Sequence, residues 1–573
     1  MTANPLAPAW LAVPDDANDL PPAVWPMNAA RTPDGELTFG GVPASALTAR
    51  FGTPLYVVDE ADARARARGL RDAFESAFER IGTDVTIYYA GKAFLCSAVA
   101  EWMTGEGLSI DVCSAGEFAV ALAAGVDPAR MGYHGNNKSL AEIDAAVENG
   151  VGAIVIDSAI EVERIAAAAE RHGRVQRVRL RVNSGVHAHT HDFLATAHED
   201  QKFGITLDDA PSLVASIRSH SSLEFLGLHC HIGSQIFGAD GFSESAARLL
   251  GVHAELLRGG DVPELNLGGG FGIAYTSADD PTPIAELAAQ LADIVASECA
   301  RLGVAVPHLA FEPGRVIIGP GTATLYTVGT VKPVSVATEL GTDEETAANA
   351  TTPDQAATLP LRATATAAGT ATAPDQAAAL PLRATATAVR TYVSVDGGMS
   401  DNVRPALYGA DYTVRLANRI SAADPALVRI AGKHCESGDI VVNADYLPGD
   451  VEPGDLVAVA ATGAYCWSMS NNYNYLGRPP VVAVERGSAR IIVRGETVDD
   501  LLARDPGIGR ETRKARVSMS HADTPAGTGA NADTPAGAGA NADTVTGAHA
   551  DTPGVRADPV TGDAAPSDSK KAS

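Results

Sequence analysis

The sequence predicts an α/β barrel followed by a β-rich domain. Three observations point there. Short apolar, strand-like runs alternate with Ala- and Leu-rich helical runs across residues 53–312. Glycines stand at the ends of several of those strands, as at Gly227 and Gly268. After Ile318 the helical alternation stops, and the patterned stretches that remain are β-like with Gly, Pro and Asp between them. Repeated strand–helix units argue for a parallel sheet, and their number suits a closed (β/α)8 barrel. A doubly wound open sheet is the alternative on pattern alone.

The elements follow in order. Residues 53–58 (Thr-Pro-Leu-Tyr-Val-Val) read as a strand closed by Asp59, and 61–81 as a helix. Strands are expected at 85–90, 108–112, 130–134, 153–157, 177–182, 224–229, 264–267 and 308–312. Helices are expected at 97–103, 116–124, 140–149 and 160–171, with one more between each later pair of strands. Residues 322–334, 391–395, 440–442 and 455–460 read as β segments of the second domain, which is expected to end near Asp505. Two stretches bury too little apolar surface to offset the entropy of ordering, and both are expected to be disordered. One is 337–388, where PDQAATLPLRATATA from Pro353 recurs as PDQAAALPLRATATA from Pro374. The other is the tail at 515–573, in which Ala-Asp-Thr recurs.

Length and composition bound the function. A chain of 573 residues is too long for one compact core. Its 46% hydrophobic and 20% charged residues are ordinary for a globular protein. A formal charge of -27 and a pI near 4.8 argue against nucleic-acid or anionic-membrane partners. The six cysteines are scattered, without a C-x-x-C pair, which disfavours a zinc ribbon and fits a reducing compartment. No basic region followed by an apolar run opens the chain, and no stretch is apolar enough to span a bilayer. The expected location is the cytoplasm.

Several short segments carry chemistry. Lys92, in Tyr-Tyr-Ala-Gly-Lys-Ala, follows a strand inside an apolar run. A lysine at a barrel-strand end can bond covalently to a carbonyl cofactor, or can simply cap the strand. In Gly-Leu-His-Cys-His-Ile-Gly-Ser-Gln, His231 can lie against an aromatic ring and Ser234 can donate to a phosphate. His229 and His231 share a side of the strand, as metal ligands might, but no third histidine or carboxylate has matching spacing, so no metal is expected. Gly268, Gly269 and Gly270 can bring backbone N–H groups close to an anion or can form a tight turn. Glu312, Gly314 and Arg315 follow another strand. A buried glutamate needs a cationic partner, and Arg315 can hold a phosphate or carboxylate, or the two can form a surface ion pair. Cys435 and Glu436 read, taken singly, as part of an ordinary loop.

Together, and in this order, these segments resemble the alanine-racemase-like (fold type III) pyridoxal-phosphate decarboxylases. The likeness rests on Y-A-x-K-A, H-G-N-N-K-S from His134, H-x-H-I-G-S-Q, G-G-G-F-G, E-P-G-R, D-G-G-M, R-P-x-L-Y and C-E-S-x-D, and covers residues 51–505 without the 337–388 insertion. It implies a (β/α)8 barrel that binds pyridoxal 5'-phosphate, at 60–318, and a C-terminal β-sandwich-like domain at 319–510. An N-terminal segment, 1–59, is expected to pack with the β domain. The resemblance implies that Lys92 holds the cofactor covalently and that His231 stacks on its ring. Ser234, Gly268, Gly269, Gly270, Glu312, Gly314, Arg315 and Tyr465 would complete the cofactor site. A carboxylate at the ring nitrogen, such as Glu312, favours loss of CO2 over racemisation in this family.

The same resemblance implies a homodimer with shared sites, into which Cys435 and Glu436 reach from the other subunit, Cys435 as the candidate proton donor. The substrate branch it points to is meso-2,6-diaminopimelate, converted to L-lysine and CO2. Arg315, Arg404, Tyr408, Glu436 and Tyr465 would hold that substrate, with the arginines on its distal carboxylate. Glu436 after Cys435 supports this branch, because the ornithine enzymes carry Asp there. Ornithine, arginine or a secondary-metabolite amino acid is the alternative substrate. The chain departs from the family pattern at Ser184, where proline is usual, and in its insertion and tail.

Overall fold

The computed structural model describes residues 4–186, 202–339 and 385–508. Eight parallel strands form a barrel: Val85–Ala90, Ser109–Val112, Met131–Tyr133, Ala153–Ile156, Gln176–Asn183, Leu223–His229, Glu264–Asn266 and His308–Phe311. The last strand pairs with the first (Leu309 with Val85, Phe311 with Ile87), which closes the ring and removes the open-sheet alternative. Parallel strands covered on both faces need apolar side chains throughout, and Ala153–Ile156 (Ala-Ile-Val-Ile) is buried at every position.

Local signals set the helices between them. The helix Glu60–Glu79 starts where the Asp59 side chain accepts the Asp62 N–H, satisfying one of the four amides a helix start leaves unpaired. Leu140–Glu148 starts on a reciprocal Ser139–Glu142 capping box. Four buried phenylalanines fasten the first of these helices to the barrel. Phe74 meets Phe311 edge-on at 4.7 Å and Phe271 at 5.7 Å, and Phe78 lies 5.4 Å from Phe311.

The strand Leu55–Asp59 is not a barrel strand, although it precedes a helix as the others do. It pairs antiparallel with Thr322–Glu339 and parallel with Val481–Glu485. Its side chains alternate between two cores: Leu55 and Val57 pack with Trp25, Phe39 and Leu325, whereas Tyr56 and Val58 pack into the large barrel-side cluster. A strand buried on both faces reads the same in either sheet, so its partner cannot be inferred from its own residues.

The β domain is organised around Thr322–Glu339, which also pairs with Leu456–Val459 and Thr385–Val395. Here the expected insertion boundaries are corrected. Val336 pairs with Ala388, Ala337 with Thr387, Thr338 with Ala386 and Glu339 with Thr385, so both ends of the 337–388 stretch extend a hairpin. Alternating Ala, Thr and Val suits a strand once a neighbour offers a ladder. Residues 340–384 and the tail from 509 lie outside the described residues. Among the described residues, no helix is long and apolar enough to cross a membrane.

The aromatic cluster yields a stability prediction. Phe311 is fully buried, and Phe311→Ala is expected to cost about 3–5 kcal/mol, the range for emptying a large aromatic site. Urea denaturation followed by tryptophan fluorescence measures it, and a loss below about 1 kcal/mol would mean that the site collapses around the smaller side chain.

Candidate active site

Lys92 lies in a single 3-10 turn, Gly91–Ala93, directly after the first barrel strand. The strand end that carries it is tied to the end of the neighbouring last strand by Ala90 N–H donating to the Pro313 carbonyl at 2.9 Å. Lys92 lines a cavity at this end of the barrel. His231, Glu312, His134, His229, Asp111 and Arg181 also line it.

Glu312 is the most heavily contacted group in this cavity. His229 Nε2 donates to its Oε2 at 3.1 Å and Asn266 Nδ2 to its Oε1 at 2.8 Å. His134 Nε2 is 3.4 Å from Glu312 Oε1 and 3.1 Å from Asp111 Oδ1. It is aligned for a hydrogen bond with neither, and both Asp111 oxygens also lack one. Burial by itself raises the Glu312 carboxyl, but His229 and His134 reverse that and hold it well below the usual carboxylate range. Asp111 goes the other way: burial, then the Glu312 charge, push it well above. The two carboxyls are thus pushed in opposite directions, the charged form being favoured at Glu312 and disfavoured at Asp111. Burial lowers the histidines, His134 to about 4 and His231 well below its ordinary value. Neutral imidazoles thus surround one carboxylate.

The histidine spacing suggested no metal, yet the fold does assemble a group with ligand atoms within 4.8 Å of one another: His134, His229 and Glu312. The second and third members arrive from other strands, and His231 is not among them. His231 Nδ1 instead accepts the Gly269 N–H at 3.2 Å.

Gly268, Gly269 and Gly270 form the turn after strand Glu264–Asn266. A Cβ at each would overlap backbone oxygen, of Cys230, Glu312 and Gly233 respectively. Close packing of neighbouring strand ends therefore demands glycine here, with Gly268 and Gly270 also at φ 69° and 104°. Gly314 leads into the short helix Arg315–Ile318. Arg315 Nη2 donates to Ser234 Oγ at 2.6 Å, and its guanidinium lies 4.7 Å over the Tyr465 ring. Tyr465 itself is held at φ 64°, an unfavourable conformation for a side chain of its size.

Arg404 comes from the β domain, at the start of the short helix Arg404–Tyr408. It is only 4% exposed, donates to Tyr412 Oη and lies 4.7 Å over the Tyr275 ring. Tyr408, at the end of that helix, is half-buried. Cys435 and Glu436 are not brought to Lys92: neither lines its cavity, and both sit on an exposed loop. The loop is nevertheless fixed, because Asp439 accepts Met399 N–H at 2.6 Å and His434 N–H at 2.7 Å.

The sequence reading did not single out Asp111, Asn266, Tyr275 or Tyr412, and it used His134 only within a motif. A signal existed for some of these. Asp111 interrupts an apolar strand, and Arg177, Arg179 and Arg181 alternate along another, placing them on one face. Arg179 and Arg181 are buried, and Arg179 pairs with Glu264 inside the ring and donates to Tyr88 Oη at 2.8 Å.

Known proteins with this architecture were then compared. Residues 66–319 match the family model described as pyridoxal-dependent decarboxylase, pyridoxal binding domain. Diaminopimelate decarboxylase of Mycobacterium tuberculosis is 48% identical over 492 residues, covering 84% of this chain and 98% of that protein. The Bacillus subtilis diaminopimelate decarboxylase is 39% identical over 475 residues, covering 82% and 95%. The crystal structure of M. jannaschii diaminopimelate decarboxylase in complex with L-lysine superposes with a TM-score of 0.69 at 28% identity, covering 85% of this chain and 99% of that one. With the fold, the Lys92 cavity and near-complete coverage of these relatives in agreement, the chain belongs to the diaminopimelate decarboxylase family of pyridoxal-dependent decarboxylases.

Proposed function

We propose that this protein releases CO2 from meso-2,6-diaminopimelate to give L-lysine, using pyridoxal 5'-phosphate at Lys92. The observation that carries this reading is one cavity lined by both an amine, Lys92, and a carboxyl held well below its usual range, Glu312. The residues fit the cofactor. Asp111 and His134 line the cavity and carry buried polar atoms without a hydrogen-bond partner, which suits a polar heteroaromatic group.

Each residue then has a physical task. Lys92 would hold the cofactor through its amine and would give way there to the substrate amine. Bound there, pyridoxal phosphate supplies an electron sink for the pair released when the Cα–carboxylate bond breaks. Glu312 would hold a proton on the ring nitrogen, with His229 and Asn266 hydrogen-bonded to it and His134 close by to favour its charged form. His231 would lie against the ring. Ser234, Gly268, Gly269, Gly270, Gly314 and Tyr465 would hold the phosphate end, leaving Arg315 to the substrate. Arg315, Arg404 and Tyr408 take the distal carboxylate of the substrate, with Tyr465 beside them, and Glu436 takes the distal ammonium.

Cys435 and Glu436 belong to the site of a second copy of the chain, an arrangement their exposed yet anchored loop supports. Cys435 delivers a proton to the carbon that has lost CO2. The working unit is therefore a head-to-tail homodimer with two shared sites. Six unpaired cysteines suit a reducing cytoplasm.

Two experiments test this. Purified protein supplied with pyridoxal phosphate should release CO2 from meso-2,6-diaminopimelate, and not from L-ornithine, L-arginine or L-lysine. Lys92→Ala should abolish release. Turnover of a different amino acid would replace the substrate assignment. Sharing of sites is tested by mixing Lys92→Ala and Cys435→Ala proteins after subunit exchange. Each is inactive alone, and random pairing under two-fold symmetry should restore about a quarter of wild-type activity. No recovery, with exchange verified by mass, would place Cys435 outside the partner's site.

A further inference from the structure

Two guanidiniums stand out because neither has an anion. Arg315 is 5% exposed and Arg404 is 4% exposed. Among the described residues, no carboxylate forms an ion pair with either. A buried cation without a counter-charge is costly, and two of them near one another also repel. The residue that reconciles them is Tyr275, itself 5% exposed. Its hydroxyl accepts a hydrogen bond from Arg315 Nη1. The face of the same ring carries the Arg404 guanidinium at 4.7 Å. An aromatic face attracts a cation without neutralising it, so both arginines remain available to a ligand.

Tyr275 is in turn fixed by both domains. Its N–H donates to Asp279 Oδ2 at 2.9 Å, within its own loop. Its carbonyl accepts Thr413 Oγ1 at 2.9 Å, from the β domain. Its ring meets Tyr412 edge-to-face at 5.1 Å, and Tyr412 Oη receives Arg404 Nη1. Arg315 is held further by Ser234, yet its Nε is buried without an acceptor. A donor left open beside a second buried guanidinium is a receptor for a carboxylate, one arginine drawn from each domain.

We propose that Tyr275 is the positioning residue that sets the spacing of Arg315 and Arg404, and so determines selectivity for substrates with a distal carboxylate. The proposal rests on the reading of this site as a diaminopimelate decarboxylase. Tyr275 acts through the arginines and touches no reacting atom. Loss of its hydroxyl frees Arg315 to shift while the ring beneath Arg404 stays. Binding of the distal carboxylate is then weakened, and the bond-breaking step is left alone.

The test uses the full-length holoenzyme and two conservative variants, Tyr275→Phe and Tyr412→Phe. For Tyr275→Phe the KM for meso-2,6-diaminopimelate should rise about tenfold, the scale of one hydrogen bond to a charged group. The kcat should stay within about twofold, and the affinity for pyridoxal phosphate, read by absorbance titration, should match wild type. Product inhibition separates this from a general packing defect. L-lysine keeps the distal carboxylate, and its inhibition constant should rise by the same factor as KM. Cadaverine lacks that carboxylate, and its inhibition constant should not move. Tyr412→Phe, which releases Arg404, should show the same split. Equal weakening of L-lysine and cadaverine, or a loss of cofactor affinity in step with KM, would overturn the proposal and give Tyr275 a structural or cofactor role. Unchanged KM in both variants, with an active wild type, would overturn it while leaving the reading of the site intact. A wild type that does not decarboxylate diaminopimelate would overturn both.

Discussion

A single buried charge, the carboxylate of Glu312, organises the rest of this structure. A closed barrel is a poor place for an anion, since its interior is filled by side chains and excludes water. The chain meets that cost with donors from neighbouring strand ends, Asn266 from one and His229 from another, while the His134 ring, from a third, stands 3.4 Å away. Burial and the Glu312 charge push the Asp111 carboxyl upward beside it, which disfavours a second negative charge in the site. Each of these groups comes from a different strand, and only a ring in which the last strand pairs with the first can face them inward together.

The same constraint explains why the second domain cannot be an independent appendage. Thr322–Glu339 and Leu55–Asp59 pair directly, and alternate side chains of the latter serve two different cores. Through Thr413, Tyr412 and Arg404 the β domain reaches Tyr275 at the barrel's carboxyl end. The two arginines of the proposed substrate subsite thus stand where the domains meet, while Lys92 and Glu312 stand at strand ends inside the barrel.

Much of the fold was legible because alternation of apolar strands and amphipathic helices is a local property. Strand Val85–Ala90 and helix Ser97–Gly105 lie close to where the pattern put them. Where the reading missed, a non-local partner decided. Ala337 and Thr387 form a ladder because an adjacent strand was available, despite their low-complexity surroundings. For the site, Lys92, His231 and Glu312 were legible as functional groups at strand ends, and they do line one cavity. The glycines of 268–270 were read for their backbone donors, yet their necessity comes from packing against backbone oxygens of neighbouring strands. Cys435 and Glu436 were legible only as a motif, and they sit on an exposed loop that does not line the Lys92 cavity.

By itself the sequence determined the identity and order of the reactive side chains, the period of each element and the family resemblance, since these are written in consecutive residues. The tertiary structure alone decided which side chains share a space. It joined Asp111, His134 and Glu312 from three separate strands, so that the charged form is favoured at Glu312 and disfavoured at Asp111. It also placed Tyr275 between two arginines 89 positions apart (404 minus 315) in the chain. The reason is physical: burial and electrostatic neighbours shift a proton or orient a cation through space, over a few ångströms, whatever the separation along the backbone.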